Sequence, residues 1–133
     1  MEIYTLTIIL PRSEDAESWS RTIEVAEDYS LKQLHKYIQE VVDFDDDHLY
    51  EFFLGRNSRG KLNSIPQTSL LNQIYPSNGL KLFYLFDFGD EWLFEIRKSR
   101  KKKTKDIAVD YPLIIAKVGE NPEQYPSYEE YDE

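Results

Sequence analysis

Leu31, Leu34, Ile38 and Val41 recur at three- and four-residue intervals, the clearest helical period in the chain. Their stretch, YSLKQLHKYIQEVVDF, opens on Ser30 and Gln33. That spacing predicts a capping box, in which the serine hydroxyl and the glutamine amide each satisfy a main-chain N–H of the first turn. Lys32, Lys36 and Gln39 fall away from the apolar stripe. Burying the four apolar side chains contributes roughly 6–12 kcal/mol before entropy, so the stripe needs a second layer to lie on.

The other apolar runs alternate, and alternation places successive side chains on opposite faces of a strand. IYTLTIIL alternates through Tyr4, Leu6, Ile8 and Leu10 and is stopped by Pro11. SRTIEVA repeats the pattern after a polar loop at RSEDAESWS, with Trp19 at its edge, which predicts a hairpin. HLYEFFLG, ending at Gly55, reads as a third strand. Arg56 to Gln67 is polar and reads as an excursion loop, followed by a short helix capped by Thr68 and ended by Pro76 and Gly79. LKLFYLFD and EWLFEIRK are two more strands, and IAVDYPLIIAKVG offers a last short strand or extended arm. The expectation is an α+β, β-grasp-like (ubiquitin-like) domain over residues 1–118, a mixed sheet of about five strands against one main helix. An acidic, flexible tail over 119–133 completes it.

Composition removes several function classes. The chain has 133 residues and no cysteine, which excludes disulfides and cysteine-based zinc sites and suits a single domain in a reducing compartment. The N-terminus carries an acid at position 2 and only a short apolar run before Pro11, a poor signal peptide. No run approaches a membrane span, so the expected setting is the cytoplasm, with no membrane partner. Net charge is −9, yet seven bases lie between Arg97 and Lys105; elsewhere nine bases face twenty-five acids, a balance of −16. Arg100, Lys101, Lys102, Lys103 and Lys105 are the candidate basic patch for nucleic acid. The acidity of the remainder opposes that use, and favours a solvated loop or a contact with acidic groups.

LFDFGDEWLFEI holds the Asp-Phe-Gly tripeptide that binds magnesium in kinases. A kinase also needs a glycine-rich loop, a strand lysine and a His-Arg-Asp loop upstream; none is present. Alternation on both sides makes Phe88-Gly89-Asp90 the turn of a β-hairpin. Asp87, Asp90 and Glu91, with Asp45, Asp46, Asp47 and His48, supply oxygens of the kind a hard cation wants, but without the spacing and glycine of an EF-hand. GRNSRGKLNS lacks the Gly-Lys-Ser/Thr ending of a phosphate loop, and no nucleophile elbow exists. His35, inside the helix, reads as a boundary residue. No catalytic residue, metal or cofactor is expected.

Several segments together resemble a known family. IYTLTIIL, LKQLHKYIQEVVDFDDDHLYEF, FYLFDFGDEWLFEI and YPLIIAKVGENPEQYP, in this order, are similar to the Ri-plasmid ORF-three-like family over nearly the whole chain. The resemblance implies a compact α+β domain similar to a β-grasp and no assigned reaction. Some members carry the label of transposon resolvase, which needs an N-terminal nucleophilic serine amid arginines and a DNA-binding helix pair; neither is found here. The reading that follows is a non-enzymatic protein–protein interaction module with an unidentified protein partner. Its candidate site is His48, Asp87, Phe88, Asp90 and Trp92, or a sheet edge open to strand addition. The alternatives are a nucleic-acid-associated accessory protein of a mobile element and a metal-dependent hydrolase.

Overall fold

The computed structural model describes residues 1–11 and 18–125. The expected loop from Arg12 to Glu17 and the acidic end from residue 126 lie outside the described residues. The ten elements are β1 (Glu2–Leu10), β2 (Trp19–Ala26), α1 (Leu31–Val42), β3 (Tyr50–Gly55), β4 (Lys61–Ile65), α2 (Leu71–Ile74), β5 (Lys81–Phe86), β6 (Trp92–Lys98), β7 (Lys103–Thr104) and β8 (Leu113–Val118). The strands form one eight-stranded sheet in the order β4-β3-β5-β6-β1-β2-β8, with β7 paired to β1.

This sheet overturns the expected β-grasp. Every described pairing is antiparallel, whereas a mixed sheet needs a parallel pair. There are eight strands rather than about five, and only two short helices. The strands that escaped the reading are β4 and β7. β4 is KLNSI and almost wholly exposed, so it is held by its ladder to β3 and carries no alternating apolar signature. β7 is a two-residue pairing within the basic run; β8, the opposite edge on β2, is the last short strand that IAVDYPLIIAKVG offered. An edge strand half in water lacks the period on which sequence reading depends.

The strands nearer the centre follow their patterns. β1 and β2 pair from Ile3–Ala26 to Leu10–Trp19. On its other side β1 meets β6, Ile8 facing Ile96. Their inward residues, Leu6, Ile8, Ile23 and Phe94 among them, form one core with the helices. α1 has its predicted capping box: the Gln33 N–H donates to Ser30 Oγ at 3.1 Å, and the Ser30 N–H donates to Gln33 Oε1 at 2.9 Å. The helix buries Val42 while Val41 is only half-buried, and it carries two polar residues inward, His35 and Gln39. α2 starts from Leu70, not Thr68, and no side chain accepts from its first turn; the Gln73 amide instead accepts from the Leu70 N–H at 2.8 Å. No helix among the described residues is long and apolar enough to cross a membrane.

Candidate functional site

The site grows from the way α1 ends. Asp43 takes a left-handed conformation (φ 59°), and the N–H of Phe44 returns to the Gln39 carbonyl at 3.0 Å. Gly or Asn usually holds this position, and aspartate tolerates it through its short polar side chain. The turn drops Phe44 into the core, where its ring meets Trp92 at 4.8 Å edge to face. The following loop, Asp45 to Leu49, is tied to the β5–β6 hairpin by the Asp87 N–H, which donates to the Leu49 carbonyl at 2.9 Å.

Asp87 organises the hairpin turn. It is buried at φ 63°, and its Oδ1 accepts from the N–H groups of Gly89 (3.1 Å) and Asp90 (3.2 Å). This is an aspartate closing its own turn, the behaviour that favours Asp where the chain reverses. Its second oxygen faces His48 Nε2 at 3.3 Å. His48 Nδ1 donates to Asp47 Oδ1 at 2.8 Å. With a carboxylate at each nitrogen the imidazolium is favoured: the hydrogen bond to Asp47, then the charges of Asp87, Asp47 and Asp90, raise the His48 pKa. The Asp47 carboxyl is held below its ordinary value, chiefly by the same bond.

A segment from the far end of the described chain completes the corner. The Asp45 N–H donates to Gln124 Oε1 at 2.6 Å, and Gln124 Nε2 donates to the Asp45 carbonyl (3.1 Å) and to Asp47 Oδ1 (3.0 Å). The Tyr125 hydroxyl donates to Asp47 Oδ2 at 2.8 Å and lies 3.1 Å from His48 Nδ1. Desolvation and then that bond push the phenol up to about 12. Asn121 anchors the segment, accepting from Trp19 Nε1 (2.8 Å) and donating to the Val41 carbonyl (3.1 Å). Arg21 is buried and reaches four acceptors: Nη1 donates to the carbonyls of Ser20 and Val118, Nη2 to the Gly119 carbonyl and Asn121 Oδ1, at 2.8–3.0 Å.

Of the five residues expected at the site, His48 and Asp87 touch. Asp90 is exposed beside them, and Phe88 presents its ring to solvent at 49 % exposure. Trp92 is half-buried against Phe44 with its Nε1 unpartnered among the described residues, so it belongs to the core margin more than to the rim. Among the described residues no three His, Asp or Glu side chains converge as they would around a metal ion.

The family model described as plasmid pRiA4b ORF-3-like protein matches residues 2–133. The chain belongs to that family. Among solved structures, the ORF-3-like chain is similar to the crystal structure of a protein of unknown function, MM3350 from Methanosarcina mazei Go1. The TM-score is 0.74 and the identity 27 %, over 87 % of this chain and 69 % of that one. None of the curated proteins compared with it matches.

Two features of this ORF-3-like domain were not foreseen. The first is a buried polar chain. Gln39 Nε2 donates to the Tyr84 hydroxyl at 2.9 Å, Tyr84 donates to His35 Nδ1 at 2.5 Å, and His35 Nε2 donates to Asp46 Oδ1 at 2.9 Å. The neutral imidazole with its proton on Nε2 satisfies every link in one direction, and such chains reinforce each other. Burial lowers the His35 pKa despite Asp46, which agrees with that neutral form. The ring stacks on Tyr50 at 3.5 Å, so His35 is a core residue and not a boundary one. His35 and Gln39 stand one helical turn apart on the buried stripe, the one sequence signal that could have found the pair. The second is the docking of Gln124 and Tyr125. The basic run is also divided: Lys103 pairs with Glu24 at 2.6 Å, while Arg100, Lys101, Lys102 and Lys105 stay exposed.

Proposed function

We propose that the domain is a non-enzymatic interaction module that receives a protein partner at the His48–Asp87 corner. What supports this reading is the segment already lying there. Gln124 engages the Asp45 backbone at both its N–H and its carbonyl, as a strand neighbour would, and Tyr125 joins the Asp47–His48 pair. A surface that accepts one polar, tyrosine-bearing segment has the donors and acceptors to accept another. The exposed Phe88 ring next to Asp90 supplies an apolar anchor on the rim.

Affinity capture from nuclease-treated host lysate, with wild type beside Phe88→Ala and Asp90→Lys, tests the reading. The expected outcome is a protein retained by wild type and lost by both variants at unchanged melting temperature. Equal retention by all three proteins refutes the site. A signal that vanishes with nuclease and follows Lys101 and Lys102 instead supports the nucleic-acid accessory.

A further inference from the structure

A second concave surface lies at the other end of the sheet, where β5 begins and β6 finishes. It encloses about 890 Å3, within the size range of small-molecule sites. One wall is the turn Ser77 to Leu80, in which the Leu80 N–H donates to the Ser77 carbonyl at 3.1 Å and Ser77 Oγ donates to the Leu80 carbonyl at 2.7 Å. Asn78 and Gly79 both have positive φ (55° and 85°), as a type I′ turn requires. The facing wall is Ser99, Arg100 and Lys102, pinned by the Ser99 N–H to the Thr5 carbonyl (2.8 Å) and by the main-chain N–H of Lys101, whose side chain lies outside the groove, to Ser99 Oγ (3.2 Å). Between them the accessible apolar surface is that of Tyr75, Pro76 and Leu80, lying over buried Tyr4, Leu82 and Ile96. Both walls are therefore set before any ligand arrives.

Charge gives this groove its selectivity. Lys98, Arg100 and Lys102 line it, against the single acid Glu2. Lys98 Nζ stands 4.6 Å from the Tyr4 ring centroid and donates to the Ser99 carbonyl at 3.2 Å, which fixes its position. Among the described residues, the side chains of Arg100 and Lys102 have no hydrogen-bond or ion-pair partner. Lys81 and Arg97 also reach the groove but are both drawn to Glu95. Three cations lining one groove, in a chain of net charge −9, concentrate anions there.

We infer that this groove binds a phosphorylated small molecule of about nucleotide size, its phosphate oxygens met by Lys98, Arg100 and Lys102 and its uncharged part lying on the apolar floor. The site is separate from the His48 corner and does not depend on that reading. A small ligand matches the volume of the groove, and a nucleic-acid strand is the alternative that the oligonucleotide arm below tests.

Isothermal titration of the full chain with inorganic pyrophosphate, ADP, adenosine and a single-stranded oligonucleotide tests the assignment. Pyrophosphate and ADP should bind saturably and adenosine far more weakly. Arg100→Gln with Lys102→Gln should weaken ADP about tenfold or more, since each removes a charge-assisted bond. Asn78→Asp, which suits the left-handed turn and sets a carboxylate on the facing wall, should weaken it as well. Lys101→Gln with Lys105→Gln, outside the groove, should change little. The inference is overturned by failure of both pyrophosphate and ADP to saturate, by equal losses in the two double variants, or by tighter, steeply salt-dependent binding of the oligonucleotide.

Discussion

Replacing His35 by Phe tests whether the buried imidazole is neutral. Phenylalanine keeps the stack on Tyr50 but offers Tyr84 no acceptor, so a buried hydroxyl loses the outlet for its proton while still receiving one from Gln39. Leaving such a group unsatisfied costs about 1–3 kcal/mol. Asp46 adds little, because its side chain is 47 % exposed and water replaces the lost donor. At about pH 7.5 the variant should therefore be less stable by about 1–3 kcal/mol, out of the roughly 5–15 kcal/mol typical of a domain. The pH dependence carries the sharper test. His35 has a folded pKa below its ordinary value, so below about pH 6.5 the unfolded chain binds a proton that the fold refuses. Wild type loses that stability as pH falls, and the variant has none of it to lose. The penalty of the substitution should shrink between about pH 7.5 and 5.5, read as the difference between two urea titrations at each pH. His48, whose raised pKa gives the opposite slope, is present in both proteins and cancels. A penalty that is constant or larger at the lower pH would mean that His35 is charged in the fold and paired with Asp46, and the argument for a neutral chain would fail.

Two further substitutions probe local structure. Gly119→Ala places a Cβ 2.3 Å from the Ser18 carbonyl oxygen at a residue whose φ is 78°, so the backbone there must move. It should cost about 2–4 kcal/mol and lower Tm by roughly 10 °C; a Tm within about a degree of wild type would refute the close approach. Ser30→Ala removes one half of the α1 capping box and should cost about 1 kcal/mol in a denaturant titration, with an unchanged m-value.

The sequence carried the elements whose environment is uniform along their length. β1, β2, β5 and β6 each have a buried face, and their alternation shows it; the box at Ser30 and Gln33 needs only its own three-residue spacing. What escaped depends on contacts distant in sequence. KLNSI becomes a strand only because β3 lies beside it, and two residues at Lys103 gain strand geometry from Glu2 and Ile3. The same holds at the candidate site. The turn after β5 was legible because the strands on both sides alternate and Asp and Gly favour a reversal, as was the run of acids before His48; that Asp87 leaves the strand and closes the turn itself was not. That His48 would meet Asp87, and that Gln124 and Tyr125 would arrive beside them, depends on how α1 ends and on where Arg21 and Trp19 hold the end of the described chain.

The Arg21 clamp also bears on how the protein is made. Its acceptor on Val118 lies 97 residues downstream. At a synthesis rate of roughly 5–20 residues per second, the ribosome takes roughly 5–20 s to cover that distance. Throughout that interval β1 and β2 can pair with each other, but the outer side of β1 waits for β6 and that of β2 for β8. The nascent hairpin thus offers two unpaired margins, one leading to the residues that become the middle of the sheet, and such margins recruit other chains. Sheets built from pairings this remote in sequence also fold slowly, in milliseconds to seconds. A chain arranged in this way depends on β8 to bury Arg21, and a holding chaperone is most useful to it before residue 118 has emerged.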